Sequence, residues 1–384
     1  MRITGEYRVQ QFDGEVVRAF VPRPLPPTDP PLLLNDDLRN LHRATLTAVG
    51  RLAVAGIMVP SADWFLYGFV RKEAVISSQI EGTQATLKDV LTYEATHTAK
   101  RPDDVREVCN YVDALAYARR EIARPRGLPL SIRLLGQAHK RLMRGARGAD
   151  KQPGDVRTSQ NRIGGTRPGN PLFVPAPPDA VPAALSALES WLHQDDPLPP
   201  LVRAGLAHVQ FETIHPFLDG NGRIGRLLIA LLLEHWGLLP TPLLYLSLAL
   251  KRRQQEYYRR LSAVRIEGDW EGWTAYFLEC VREAADDGVA TAQRLFELLN
   301  RDRRRLLAHR AATIPAVRLW EALPSRPIVT LPTATSLMHT SKPTAAKAIA
   351  MLCNMKILQE ISGRRRDRVY AYQAYLAALT SDEE

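Results

Sequence analysis

Cysteine is scarce in this chain of 384 residues, and that scarcity excludes folds built on cross-links. The only three cysteines are Cys109, Cys280 and Cys353. They are far apart and odd in number, so the sequence holds neither a disulfide framework nor a paired-cysteine metal site. Each is expected to be a small buried hydrophobic residue.

Long apolar runs are missing too. The run LLIALLL at 227–233 is much too short to cross a bilayer, and the N-terminal segment MRITGEYRVQQF lacks the apolar stretch of a signal peptide. We therefore expect a soluble cytoplasmic protein without a membrane partner. The hydrophobic share of 45% is nevertheless enough for sizeable cores and too high for a disordered chain.

Sustained alternation of polar and apolar residues, which is typical of sheets, is also absent, and a mainly α fold is expected. Residues 21–31 are too rich in proline for a helix and predict an extended arm. Beyond residue 36, apolar residues recur at steps of three and four, which indicates helices. Further helices are predicted at 62–79, 86–95, 103–123, 130–143, 179–195, 200–213, 221–236, 251–263, 270–285 and 286–309.

A long stretch rich in glycine and proline, residues 144–180, interrupts the helices. Two short extended pieces at 162–164 and 172–174 flank GTRPGNP and predict a small β-hairpin. Loops of this length are often functional.

The last part of the chain has a different character. From residue 301 onward it contains 14 Lys and Arg against 7 Asp and Glu, which accounts for most of the net charge of +10. Helices at 315–323, 331–338 and 343–355, followed by strands at 357–362 and 369–372, predict a winged helix. The tip of its hairpin carries Arg364, Arg365, Arg366 and Arg368. Such a surface points to an anionic partner.

The segment 215-HPFLDGNGRIGR-226 concentrates residues suited to phosphate chemistry. Gly220, Gly222 and Gly225 permit close approach of the backbone to a ligand. Because the segment runs into the start of a helix, unpaired N–H groups there can cradle phosphate. Asp219 can hold a divalent cation beside the phosphates.

Three further residues of this segment supply a base and positive charge. His215 is the one side chain here that can act as a base near neutral pH. Arg223 and Arg226 lie three apart and share a helix face, so they can grip an anion as a fork. Each feature alone has a structural explanation, as a turn or a solvated face. Their combination within twelve residues favours a catalytic phosphate-binding site.

The segment matches the motif of the Fic family, HPFx[D/E]GNGRxxR, at every fixed position. The resemblance implies that His215 takes the proton from a hydroxyl of a target protein, whose oxygen attacks the α-phosphate of ATP. Asp219 would bind Mg²⁺, and Phe217 would anchor the loop in the core. The other implied ATP-binding residues are Gly220, Asn221 and Gly222 of the anion hole, Arg226 at the γ-phosphate, and Arg223 and Gly225 beside it.

A second stretch, 77-SSQIEG-82, matches the inhibitory motif of that family, [S/T]xxxE[G/N]. Ser77 and Glu81 are four apart and therefore share one helix face, and Gly82 can end that helix. By the resemblance, Glu81 would pair with Arg226 and remove the partner of the γ-phosphate. A surface glutamate at a helix end is the alternative.

The resemblance extends to other parts of the chain. The hairpin at 162–174 resembles the family's flap, which holds the target segment as an added strand. The segment 254–273 resembles the region after the family's core, where Tyr258 would stack on adenine. Tyr257 is an equal candidate, and both tyrosines also suit a helix core.

These observations predict an enzyme of three parts. Residues 1–110 would form an arm and a helical region with the inhibitory helix, 111–290 the Fic-type catalytic helical bundle, and 291–384 a linker helix and the winged helix. The predicted activity is protein adenylyltransferase, a nucleotidyltransferase that uses ATP and Mg²⁺ to modify a Ser, Thr or Tyr hydroxyl of a target or of itself, and that is inhibited by Glu81.

Two alternatives remain open at this point. One is a nucleotide-sensing regulator that binds DNA through the winged helix and mainly modifies itself. The other is a bifunctional enzyme that also removes AMP, with Glu81 positioning water. The resemblance also implies a homodimer. Helix 343–355 offers few base-reading groups, since only Lys347 and Asn354 lie on it and Lys342 precedes it.

Overall fold

The computed structural model describes residues 2–58, 62–166 and 170–381, and it is mainly helical, which confirms the predicted fold class. The helices of the catalytic region and its surroundings are α1 (Asp36–Met58), α2 (Ala62–Ile80), α3 (Leu87–Thr96), α4 (Pro102–Ala123), α5 (Ile132–Leu142), α6 (Val181–His193), α7 (Pro200–Ile214), α8 (Asn221–His235), α9 (Leu246–Arg252), α10 (Gln254–Glu267) and α11 (Trp270–Ala308). The two central helices are α7 and α8, whose residues are nearly all buried.

The N-terminal residues form a β-hairpin that the sequence analysis did not predict. Strands β1 (Gly5–Phe12) and β2 (Glu15–Pro22) pair antiparallel. Asp13 and Gly14 connect them with positive φ angles of 48° and 80°, the geometry that an Asp-Gly turn favours. The predicted arm therefore continues from β2, which already includes Val21 and Pro22.

Helix α11 corrects a second expectation. Residues 270–285 and 286–309 were predicted as two helices, but they form one helix of 39 residues that packs along α1. Gly288 lies inside it, where a Cβ atom would come within 2.8 Å of Leu52. The glycine thus allows close packing of α11 against α1 and does not break the helix.

The predicted hairpin in the long loop is reduced to a single bridge in the described residues. The Ile163 N–H donates to the Phe173 carbonyl at 2.8 Å, and residues 167–169 of the turn lie outside the described part. The next residue, Val174, accepts a hydrogen bond of 2.9 Å from the N–H of Phe20 on β2. The N-terminal hairpin thus supports this loop from one side.

The C-terminal part contains the elements that the sequence predicted and two more, one strand and the last helix. Its elements are α12 (Ile314–Ala322), β3 (Ile328–Thr330), α13 (Leu331–Leu337), α14 (Lys342–Asn354), β4 (Gln359–Glu360), β5 (Val369–Ala371) and α15 (Gln373–Thr380). The unexpected strand β3 pairs with β5 and completes a three-stranded sheet in the order β3-β5-β4. Strands β4 and β5 are shorter than predicted.

The C-terminal part packs against helix α2. The buried Lys72 ammonium donates to the Leu379 carbonyl at 3.0 Å, and the side chain of Leu379 lies against Gly68. The predicted boundaries at 110/111 and 290/291 fall inside α4 and α11, and the division into three parts stays a prediction.

Candidate active site

The segment 215–226 lies between the two most buried helices, and its first residue ends one of them. His215 takes a left-handed conformation with φ of 52°, and its N–H donates to the Phe211 carbonyl at 2.9 Å. The buried Arg157 guanidinium holds this corner, because its Nε donates to the His215 carbonyl at 2.8 Å. The sequence did not indicate this role of Arg157, because His215 lies 58 positions away along the chain.

Two side chains brace the loop from within. The buried Asn221 amide accepts from the Phe217 N–H at 2.9 Å and donates to the Phe217 carbonyl at 2.7 Å. The Phe217 ring is buried, as expected for an anchor, and it stacks on His139 with ring centroids 3.9 Å apart. The side chain of Asn221 therefore shapes the loop, and only its backbone is free to contribute to an anion hole.

His139 is a site residue that the sequence did not reveal. Its Nδ1 accepts from the Gly154 N–H at 2.8 Å, which leaves the proton on Nε2 to be donated to the Asp219 carbonyl at 3.0 Å. Burial lowers the pKa of His139 to about 4, so the ring is neutral in this tautomer. His139 looks like a core residue of α5 because its role depends on contacts distant in sequence.

Glu81 lies at the N-terminus of helix α8, where the anion hole was predicted. The Gly220 residue that precedes the helix has φ of 73°, and no side chain caps the first turn. A Cβ atom on Gly222 would come within 2.2 Å of Glu81 Oε1, so only a glycine leaves space for this carboxylate. The free N–H groups and positive end of the helix favour a negative group at this position.

The predicted contact between Glu81 and Arg226 is present. Arg226 Nη2 donates to Glu81 Oε1 at 2.7 Å, and its Nε and Nη2 donate to the hydroxyl and carbonyl oxygens of Ser77 at 2.8 and 2.9 Å. Burial acts to lower the pKa of Arg226, but Glu81 together with Tyr257 and Glu212 outweighs burial and raises it. Gly82 follows in a left-handed conformation with φ of 94°, just beyond the end of α2.

Arg223 has a different partner, which the sequence did not indicate. Its Nη1 lies 3.2 Å from an oxygen of Glu107 on α4, and both side chains are almost completely buried. Glu107 also accepts from Arg147 at 3.1 Å and from the Thr83 hydroxyl at 2.8 Å. The two arginines of the motif are thus both paired with carboxylates from outside the motif.

The imidazole of His215 is suited to accept a proton. Burial, together with the nearby Arg157 and Arg265 guanidinium groups, lowers its pKa to about 4. His215 is therefore neutral over the physiological pH range. A neutral imidazole next to the uncapped N-terminus of α8 can accept a proton, as a general base must.

Asp219 is placed to share a cation with a bound phosphate. Its carboxylate is one-third exposed, accepts from the Gly220 N–H at 2.7 Å and lies 3.3 Å from the Lys151 ammonium. Within the described part of the chain, no cluster of three or more His, Cys, Asp or Glu side chains could hold a metal ion. Asp219 could instead hold a Mg²⁺ ion whose other ligands are phosphate oxygens and water, as is usual for nucleotide-bound magnesium.

The two tyrosines at the start of α10 differ in environment. Tyr257 is buried and its hydroxyl is 2.8 Å from His208 Nε2, whereas Tyr258 is 47% exposed. Tyr258 contacts Gln254 through its hydroxyl at 3.4 Å, and the amide of Gln254 donates to the Ile80 carbonyl at the end of α2. Of the two, only Tyr258 has an exposed ring that a ligand could contact. Its stacking on adenine stays a prediction that this geometry allows.

The helices of residues 2–58, 62–166 and 170–381 do not include one long and apolar enough to span a membrane.

Known proteins similar to this chain share the motif region. Residues 38–120 match the Fic/DOC family N-terminal description, and residues 129–233 match the Fic/DOC family. Proteins named "Protein adenylyltransferase Fic" from Drosophila grimshawi and Drosophila willistoni are each 27% identical over 212 residues. That alignment covers 54% of this chain but only 40% and 39% of the two relatives.

Solved structures agree with the fold. A Fic family protein from Desulfovibrio desulfuricans G20 has a TM-score of 0.56 at 23% identity, covering 89% of this chain and 98% of the other. Fic-1 from C. elegans has a TM-score of 0.51 at 21% identity, covering 68% and 74%. The chain therefore contains a Fic/DOC family N-terminal region at residues 38–120 and a Fic/DOC family domain at residues 129–233.

Proposed function

We propose that this protein is a protein adenylyltransferase that transfers AMP from ATP to a hydroxyl group of a protein. The observation that carries the proposal is one short loop that combines a neutral histidine, the open end of helix α8, and an acidic residue beside it. The similarity to relatives named protein adenylyltransferase supports the same reaction.

The transfer of AMP takes place in one step at this loop. The hydroxyl oxygen forms a bond to the α-phosphorus of ATP while the bond to the bridging oxygen breaks, and pyrophosphate leaves. His215 accepts the hydroxyl proton, which its lowered pKa allows at neutral pH. The backbone N–H groups at the start of α8 stabilise charge on the phosphates, and Asp219 would hold Mg²⁺, which neutralises the triphosphate when it is bound.

We further propose that Glu81 inhibits this activity in the resting protein. Its carboxylate lies against Gly222 and pairs with Arg226 at 2.7 Å, so it fills the region proposed for the terminal phosphates. ATP that enters this site meets a negative charge and finds Arg226 already paired. ATP would therefore bind in a pose that does not align its α-phosphate with the hydroxyl.

The test compares wild type, Glu81→Gly and the double variant Glu81→Gly/His215→Ala. Each purified protein is incubated with cell lysate and with ATP labelled either at the α- or at the γ-phosphate. We expect Glu81→Gly to incorporate α-label at least about ten times faster than wild type, and the double variant to lose about a hundredfold or more of that rate. Mass spectrometry of the labelled bands identifies the acceptor residue.

The two labels separate adenylyl transfer from phosphate transfer. Incorporation of γ-label by Glu81→Gly above the level that the double variant gives in the same lysate would contradict the proposed reaction, because the γ-phosphate leaves as part of pyrophosphate. Persistent α-labelling in the double variant would show that His215 is not the base. Equal labelling by wild type and Glu81→Gly would refute the inhibitory role of Glu81 while leaving the reaction intact.

The C-terminal part supports a second function, and we propose that it is a winged helix that binds duplex DNA. Its basic hairpin tip, residues 364–368, is fully exposed, and the outward face of α14 carries Lys342, Lys347 and Asn354. Small exposed residues, Ala346 and Ala350, separate them and permit close approach of the helix to a groove. The arginines would contact phosphate and set the position of the helix.

A gel shift with random duplex DNA at low salt tests this second function. We expect binding that weakens steeply as salt rises, because phosphate contacts dominate. Replacing Arg364, Arg365 and Arg366 with glutamine should abolish the shift. A control with the same charge change in α11, Arg282→Gln with Arg303→Gln and Arg304→Gln, should retain most of it. Absence of binding by wild type at low salt would refute the proposal.

A further inference from the structure

Glu107 connects the inhibitory segment to the catalytic motif through Thr83. We propose that Glu107 is a positioning residue for the Glu81 carboxylate: by holding Thr83, it fixes the chain immediately after Glu81. The inference rests on the proposed function, because it concerns how strongly Glu81 inhibits that reaction. It assigns a role to two residues that lie outside both sequence motifs.

The contact between these residues is short and buried. Thr83 is 1% exposed, and its hydroxyl donates to Glu107 Oε2 at 2.8 Å. The N–H of Thr83 donates to the Ser78 carbonyl at 3.2 Å, which folds the chain back onto the last turn of α2. Thr83 is therefore tied on one side to the inhibitory helix and on the other to α4.

The inhibitory carboxylate needs such an anchor because it lies beyond its helix. Helix α2 ends at Ile80, and Gly82 has φ of 94° with no atom near the position of a Cβ. A glycine in open space gives the chain freedom to change direction directly after Glu81. A fixed residue on the far side of the glycine limits that freedom, and Thr83 is the first buried residue there.

Glu107 is suited to act as the fixed point. Its side chain is 1% exposed and is held by Arg223 at 3.2 Å and Arg147 at 3.1 Å. A buried carboxylate with these partners has no low-energy alternative position. Arg223 belongs to the catalytic motif, so a single carboxylate sets both the motif and the end of the inhibitory segment. One residue further, the Gln84 N–H donates to Asp104 on the same helix at 2.9 Å and extends the attachment.

The test is a double-mutant cycle between Thr83→Val and Glu81→Gly, with incorporation of α-labelled ATP as the readout. Thr83→Val keeps the shape of the buried side chain and removes only the hydroxyl. We expect it to raise labelling about five- to tenfold when Glu81 is present, as expected for loss of a hydrogen bond to a charged group. In the Glu81→Gly background the same change should alter labelling less than about twofold.

Two further variants serve as controls for the cycle. Thr83→Ser keeps the hydroxyl and should retain inhibition. Glu107→Gln should also release inhibition, but it removes the charge that Arg223 faces, so Thr83→Val gives the decisive comparison if that protein is unstable. A merely structural defect would change labelling in both Glu81 backgrounds alike.

The possible results separate the two proposals. An active Glu81→Gly enzyme combined with an unchanged Thr83→Val rate would overturn the positioning role alone. Equal stimulation in both backgrounds would also overturn it, because the contact would then act on catalysis and not on Glu81. A Glu81→Gly protein that shows no labelling with any lysate would refute the proposed function itself.

Discussion

The two arginines of the motif lie one turn apart on α8, and their surroundings differ in a way that separates regulation from architecture. Arg226 forms an ion pair with Glu81, whose side chain is 34% exposed and has this one ion-pair partner among the described residues. Arg223 meets Glu107, whose side chain is 1% exposed and has three partners. Both arginines are themselves almost completely buried.

This difference shows which pair can be exchanged for a substrate. The Glu81 side chain is 34% exposed, and Gly82 beside it has no atom near the position of a Cβ, so a displacement of this carboxylate would not expose a core. Moving Glu107 would leave the buried Arg223 with only the more distant carboxylate of Asp219, at 3.8 Å, which is strongly unfavourable. This difference supports the proposal that Arg226 is the arginine available to phosphate, whereas Arg223 keeps its partner and shapes the site.

The largest expected effect that tests this comparison is on stability. Glu107→Gln should lower the free energy of unfolding by about 3 kcal/mol, because it removes the partner of a buried cation. Glu81→Gln should lower it by about 1 kcal/mol or less, because solvent can replace the lost carboxylate oxygen beside Arg226. Urea unfolding followed by circular dichroism measures both values.

A matched control comes from another ion pair outside the site. Glu94 pairs with Arg71 at 2.8 Å and is 18% exposed, between the other two carboxylates. Glu94→Gln should therefore give an intermediate loss of stability. If Glu81→Gln proves as damaging as Glu107→Gln, the distinction between an exchangeable and a permanent pair is wrong.

The sequence was informative where chemistry is concentrated within a few residues. Most helices and the grouping of residues at 215–226 could be predicted because spacing places their side chains on a common face or turn, whereas the inhibitory glutamate was predicted from its family motif. The contact between Glu81 and Arg226 spans 145 positions, and the family motifs, not the spacing, predicted it. The predicted roles in catalysis stay predictions.

The sequence was uninformative where function depends on distant contacts. Glu107 and His139 read as ordinary residues of amphipathic helices, and only folding brings them to the motif. The N-terminal hairpin was missed for a different reason, because no residue of β1 is buried and most are exposed, so this strand has no buried face to show in the sequence. The Asp13-Gly14 pair between two strand-like segments was the available signal.

A smaller effect sharpens the comparison on the Arg226 side of the site, where α10 contributes two tyrosines. Tyr258→Ala should weaken ATP binding to the Glu81→Gly variant by about tenfold, because stacking of a base on an aromatic ring contributes about 1–3 kcal/mol. Calorimetry with ATP and with pyrophosphate should show the loss for ATP only.

Tyr257→Phe is the matched control. It removes the hydrogen bond to His208 and should lower stability by about 1 kcal/mol without changing ATP affinity. If Tyr257→Phe weakens ATP binding and Tyr258→Ala does not, the adenine contact is assigned to the wrong ring.

The smallest expected effect is on the pH dependence of activity, which reports on the Glu81 charge near His215. A base with an ordinary histidine pKa of about 6.5 would lose about tenfold in kcat/KM between pH 8 and 5.5, whereas the pKa of His215, about 4, predicts a change below about twofold. The Glu81 charge raises the pKa of His215, so the Glu81→Gly variant should lose still less activity at low pH than a variant that retains Glu81, such as Thr83→Val.

The pKa values of His139 and His208 are also lowered, to about 4 and 3. At these two sites the unfolded chain therefore binds more protons than the folded protein below pH 6.5, and their contribution to stability falls as pH falls. Circular dichroism at each pH must therefore confirm that the protein is folded. A loss of activity centred near pH 6.5 in folded protein would show that His215 is not held neutral by its surroundings.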